Sequence, residues 1–300
     1  MKKYILLILL GTLCWTGCQK EIFVETEEKA TTWTLTVNAQ RNDTPATKGL
    51  EIGEGTEAST SLLKSVWKAG EEVKVYLGAE CIGTLTATPD ALDAHQATLS
   101  GEITTTGIVA NSTVLTLLTP RESWDYTGQV GKLLLTDDEN DSIEKKYHYT
   151  MASPVLVTAV SGNGITTETA HFSNQQSIYR LSFRYNKVHL SAKSVSISSE
   201  NGHLVQSQTM DGTVTEGPIS VTLGTATADP LFVALRNGDE VQAEKLYFTV
   251  VDAAGVSYRG SKNIPAEYKA NGSFVSIKNA SLTERMDVPV SSNGAVSTAL

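Results

Sequence analysis

The sequence predicts an all-β protein with two β-sandwich domains in tandem behind an N-terminal export signal. Three observations lead there. Apolar residues recur with a period of two almost everywhere a period can be read, Asn-Gly and Asp-Gly pairs punctuate the stretches between, and no amphipathic helix longer than a few turns stands out. With 300 residues, 40% of them hydrophobic, the chain has apolar material for two cores.

The N-terminus opens with basic Met1-Lys2-Lys3 and an apolar run over residues 4–13, too short to cross a bilayer with ease. Residues 1–17 therefore read as a secretion signal. Trp15-Thr16-Gly17-Cys18 resembles a bacterial lipobox, in which the Cys18 thiol would receive a diacylglycerol before cleavage; Trp15 stands where an aliphatic residue is usual. Several acyl chains on the mature N-terminus would anchor the protein to a membrane, whereas one chain binds only marginally. Residues 18–30 form a polar tether carrying Gln19-Lys20-Glu21, Glu25, Glu27 and Glu28. Its start resembles the signal that sends Bacteroidota lipoproteins to the outer face of the outer membrane, although a solvated linker would read the same way.

After the signal only Cys18 and Cys81 remain, so with Cys18 lipidated no intramolecular disulfide is expected, and Cys81 reads as a small buried hydrophobe. A net charge of −9 with no stripe of Lys and Arg argues against nucleic acid as a partner.

The N-terminal domain is assigned to residues 31–163. Trp33, Leu35 and Val37 alternate with threonines, and Val73, Val75 and Leu77 alternate with Lys74 and Tyr76, each pattern putting one face in a core and one in water. Short helical pieces are expected at residues 58–64 and 89–94. The turn cluster Ser161-Gly162-Asn163-Gly164 marks the domain boundary. The C-terminal domain, residues 164–287, contains the alternating run Tyr179, Leu181, Phe183, Tyr185 and the continuous apolar run over 231–235, expected to be buried on both faces. Hairpins are expected at Asn201-Gly202, at Asp211-Gly212 and at Asp252-Ala253-Ala254-Gly255. Residues 288–300 form a small-residue tail.

Several stretches, taken in order, resemble the fimbrillin family, the fimbrial subunits of the Bacteroidota. They are the lipobox and tether; Ala46-Thr47-Lys48-Gly49; residues 66–76 from Val66-Trp67-Lys68-Ala69-Gly70 to Tyr76; Ala152-Ser153-Pro154; His171-Phe172 leading to residues 178–183; and residues 245–250 followed by Tyr258 and Asn271-Gly272-Ser273-Phe274. The resemblance implies two transthyretin-like sandwiches and a lipid-anchored surface protein that assembles with other fimbrial subunits by strand exchange. An Arg- or Lys-specific protease would remove the first strand, residues 33–39, by cutting after Lys48 or after Arg41. A strand from a neighbouring subunit's tail would then fill the groove, main chain pairing with main chain and alternate side chains filling pockets. Residues 286–300, roughly 50 Å long if extended, alternate weakly because Pro289 and the serines interrupt them, which leaves room for a tip or accessory subunit.

Three further features carry expectations. Trp124-Asp125-Tyr126, between Pro120 and Gly128, would suit a loop that stacks on sugar rings, so a non-polymerising surface glycan-binding lipoprotein is the alternative reading. Asp141-Ser142-Ile143 matches an Asp-Ser/Thr-aliphatic O-glycosylation motif, with Ser142 as the acceptor. Asp137, Glu139 and Asp141 sit at an alternating spacing that could chelate calcium, but the stretch lacks the Gly at the sixth position and the Glu at the twelfth that a helix-loop-helix calcium loop needs, and reads as a solvated acidic turn. The five histidines are scattered and read as surface or strand residues, and no catalytic motif is present. Neither an enzyme nor a cofactor is expected.

Overall fold

The structure, a computed structural model, describes residues 30–41, 60–62, 66–133, 142–236, 244–264 and 272–286. The first part of the chain forms β1 (Thr31–Arg41), β2 (Thr60–Leu62), β3 (Glu72–Leu77), β4 (Glu80–Pro89), β5 (Gln96–Thr105), β6 (Val114–Thr119), β7 (Trp124–Asp125), β8 (Thr150–Ser161), β9 (Gly164–Thr167) and β10 (Ala170–Asn174). The second forms β11 (Ser177–Tyr185), β12 (Val188–His189), β13 (Ala192–Ser199), β14 (Val205–Gln208), β15 (Val214–Glu216), β16 (Ile219–Thr227), β17 (Leu231–Leu235), β18 (Glu244–Asp252), β19 (Ser257–Ile264) and β20 (Ser273–Met286). The class is all-β, as the period of two predicts. Among the described residues the one helical element is a five-residue turn, Ile143–Tyr147.

The first sheet closes on itself. From β1 the order runs through β5, β4, β3, β6 and β8. β8 turns into β9, which lies parallel to β1 at Thr34–Thr36, and β10 continues along the same edge of β1 from Ala39 to Arg41. β9 and β10 thus share one position in a barrel-like ring, and closure leaves β1 no unpaired edge. Alternation decides what fills the interior: Leu35 and Val37 of β1, Val73 and Val75 of β3, Leu99 and Ile103 of β5, and Leu115 and Leu117 of β6 all point inward. Gly83 and Gly101 let β4 and β5 approach closely, since a Cβ on either would lie 2.5 Å from a backbone oxygen of the opposite strand.

The second sheet runs β12-β11-β20-β19-β18-β13-β16, with β17 on β11 and β2 on β20. Its core gathers Leu181, Phe183, Ile197, Val233, Phe248 and Phe274. Residues 126–133, an excursion of the chain between β6 and β8, lie between β16 and β17. Gln129 O accepts from Thr222 N at 3.1 Å and Gly131 O from Phe232 N at 2.9 Å. This strap closes the second sheet with chain from the first part.

Several sequence expectations are corrected here. The turn at Gly162–Asn163 is the tip of the β8–β9 hairpin, not a domain boundary: β9 and β10 remain in the first ring, and the change of sheet comes at Gln175–Gln176. A turn cluster marks a reversal of direction equally well inside a sheet and between sheets. The assigned blocks 31–163 and 164–287 also interleave, because β2 and residues 126–133 join the second sheet. The Asn201-Gly202 turn forms, but β14 leaves β13 to pair with β15 and β7, so it makes no hairpin. The other two expected hairpins form, β14–β15 and β18–β19. The segment expected as helix at 58–64 contains strand β2, and 89–94 is a loop pinned by Asp90, whose carboxylate accepts from Leu92 N and Asp93 N. Cys81 is exposed, because β4 turns Ile82 inward instead.

Candidate functional site

The strand that the resemblance marks for removal, β1, is paired on both edges. Its antiparallel ladder with β5 runs without a break from Thr31↔Thr105 to Gln40↔Gln96. Its other edge is held by β9 and then β10, both parallel to it. Leu35, Val37 and Ala39 point inward and are fully buried or nearly so. Ala39 lies between Ala97 of β5 and Ala170 of β10, so three small side chains stand side by side on that face.

Period two puts a fourth side chain on the same face, Arg41, and it is 4% exposed. A buried guanidinium is costly unless its charge is matched. Here Nη1 donates to Val66 O at 2.6 Å, Nη2 pairs with the Glu71 carboxylate, and the guanidinium carbon sits 3.9 Å over the Trp67 ring. Glu71 is itself held, accepting from Lys68 N and the Thr119 hydroxyl, both at 3.3 Å. Trp67 is fixed by Phe172 edge-on at 4.9 Å. The Arg41 amide donates to His95 O at 2.9 Å.

Beside this seat lies a cleft of about 280 Å³ lined by Lys68, Glu144, Pro120 and His148 among others. His148 is buried, with Nε2 2.8 Å from Asn174 Oδ1. Burial, reinforced by the positive Arg41, pushes its pKa from 6.5 down to about 3, so it is neutral at physiological pH.

The other sequence-derived sites fare differently. Arg41 is buried, and its guanidinium and amide are held as described. Lys48, Cys18, residues 137–141 and the tail 288–300 lie outside the described residues. Trp124 and Tyr126 are buried and therefore not available to stack on a sugar: Trp124 carries the Arg236 guanidinium 4.6 Å over its ring, and Tyr126 packs edge-on against Tyr149 at 5.3 Å. Asp125 is partly buried; its carboxylate pairs with Arg121 at 3.2 Å and accepts from Thr127. Their segment reads as an aromatic surface loop in sequence because nothing local reveals that it inserts into the second core. Ser142 is buried too, capping the 143–147 turn through its hydroxyl, which accepts from Lys145 N at 3.3 Å, so the expected acceptor oxygen is not at the surface. His95 and His148 are buried rather than superficial. Among the described residues no cluster of three His, Cys, Asp or Glu forms a metal site, and no helix is long and apolar enough to cross a membrane.

The Arg41 seat was missed as a site in sequence, although its signal was present: the pattern Leu35-x-Val37-x-Ala39-x-Arg41 carries the arginine onto the buried face.

No protein-family model and no curated protein matches the chain. Solved structures give loose likenesses. One, from Bacteroides ovatus and provisionally described as a cell adhesion protein, is 13% identical with a TM-score of 0.39, over 86% of this chain and 97% of that one. A fimbrial assembly protein from Parabacteroides distasonis is 11% identical with a TM-score of 0.36, over 86% and 94%. A shaft pilin from Lactobacillus rhamnosus is 10% identical with a TM-score of 0.29, over 84% and 97%. Overlaps this loose identify no shared site.

Proposed function

We propose that the chain is a cell-surface structural or adhesive subunit, exported as a lipoprotein through Cys18, whose first strand is released by cleavage at Lys48 and replaced by an extended strand of a partner subunit. The observation that carries this reading is the placement of β1. It is the first described strand, it holds ten consecutive backbone pairs with β5, and its inward side chains sit in discrete seats. Its loss would leave main-chain groups unpaired on both flanking edges and four side-chain seats empty. Such a groove favours any extended segment that restores the ladder. The partners of this reading are other fimbrial subunits and, through the lipid, the outer membrane; the weakly alternating tail leaves room for a tip or accessory subunit. The glycan-binding alternative loses its proposed contact surface with the burial of Trp124 and Tyr126.

The test is to treat the folded protein with a Lys/Arg-specific protease and follow it by mass spectrometry and by gel electrophoresis without boiling. Cutting at Lys48, loss of the β1 fragment and appearance of higher-order species with partner subunits are expected. An intact Lys48 under native conditions would sink the cleavage route.

A further inference from the structure

We infer that the Val66–Trp67–Glu71 seat is a guanidinium-recognition site that selects which strand can replace β1, and that the strand it accepts carries an arginine. This rests on the exchange reading above and adds the identity of the partner. The seat belongs to the body of the protein and its occupant to the strand, so the two separate if the strand leaves. Three groups converge on the guanidinium: a carbonyl at Val66, a carboxylate at Glu71 and the face of the Trp67 indole. Each suits a planar cation, and the carboxylate is already oriented by Lys68 N and the Thr119 hydroxyl. With an uncharged residue in that place, Glu71 would face the indole without its counter-charge.

The seats define a motif. An accepted strand presents, at alternate positions, apolar residues in the places of Leu35, Val37 and Ala39, and then arginine. Residues 288–300 contain neither Arg nor Lys. That stretch of a second copy therefore does not match the motif, and the partner strand is one that does.

The test uses the full chain with a site-specific protease sequence placed within residues 42–59, cut while folded, unfolded to strip the β1 fragment, and refolded with excess fluorescent peptide. The probe peptide has the sequence of residues 31–41. It is compared with its Arg41→Gln and Arg41→Lys forms and with a peptide of residues 288–300. The parent peptide is expected to bind on the order of 30-fold tighter than the Gln form, with Lys between them. The 288–300 peptide is expected to bind no better than the Gln form. In a Glu71→Gln body the preference for Arg over Gln should shrink several-fold, a coupling that mere loss of stability would not produce. Equal binding of the Arg and Gln peptides overturns the selectivity proposal and leaves strand exchange standing. Tight binding of the 288–300 peptide overturns the requirement for the arginine motif. If no peptide restores the fold, the parent included, the exchange reading fails and the proposal with it.

Discussion

Gln129 grips Ala234 from both sides of one peptide segment: its side-chain nitrogen donates to Ala234 O at 2.8 Å, and its side-chain oxygen accepts from Ala234 N at 2.7 Å. The amide thus stands in for a stretch of β-strand, completing a ladder on β17 that the main chain of the strap supplies only in part. The same nitrogen also donates to Tyr126 O at 2.9 Å, which fixes the strap's own bend.

Gln129→Leu would fit the space but leave the Ala234 amide and carbonyl buried without partners. Each orphaned group costs about 1–3 kcal/mol. Urea unfolding should show a loss of about 2–4 kcal/mol, and Gln129→Ala should cost at least as much because a cavity adds to it.

His148 predicts an acid-side loss of stability. Its folded-state pKa of about 3 lies below the ordinary 6.5, so between those values the unfolded chain binds a proton that the folded chain refuses. Above the ordinary value the group contributes no pH dependence. As pH falls from 6.5 toward 3, stability drops with a slope of up to about 1.4 kcal/mol per pH unit. His148→Gln, which keeps a donor for Asn174, should flatten that part of the profile when unfolding is measured at pH 7, 5.5 and 4.5.

Arg41 predicts a protease-resistant bond. Cleavage requires the arginine to enter the protease pocket in an extended segment, which here means withdrawing it from Trp67, Glu71 and Val66 and breaking the ladder. Time-resolved native digestion should show the 41–42 bond cut only as the protein unfolds. Early cutting there would mean that the end of β1 opens locally and that the seat is weaker than its contacts indicate.

Trp124→Ala is expected to act on stability and not on sugar binding. It removes a buried indole from the second core and the platform beneath Arg236, at a cost of about 3–5 kcal/mol. Thermal unfolding should register this, while a glycan array should show no signal that depends on Trp124. Native mass measurement should likewise find Ser142 unmodified.

The sequence by itself determined the local grammar of this protein. Leu35, Val37 and Ala39 face inward because successive side chains of a strand alternate, and the turns at Asp211-Gly212 and Asp252–Gly255 form because Gly212 and Gly255 adopt positive φ of 91° and 82°. Such properties depend on neighbours in the chain, so they are legible there. Only the tertiary structure decided what covers each face. Arg41 meets Glu71 across 30 residues, Gln129 meets Ala234 across 105, and β9 and β10 close on β1 from beyond the turn that looked like a boundary. Trp124 and Tyr126 look superficial in sequence and are buried against residues far from them, Arg236 and Tyr149. A period of two states that a strand has an apolar side; which distant segment lies against that side is set by how both sheets close, which no local stretch encodes.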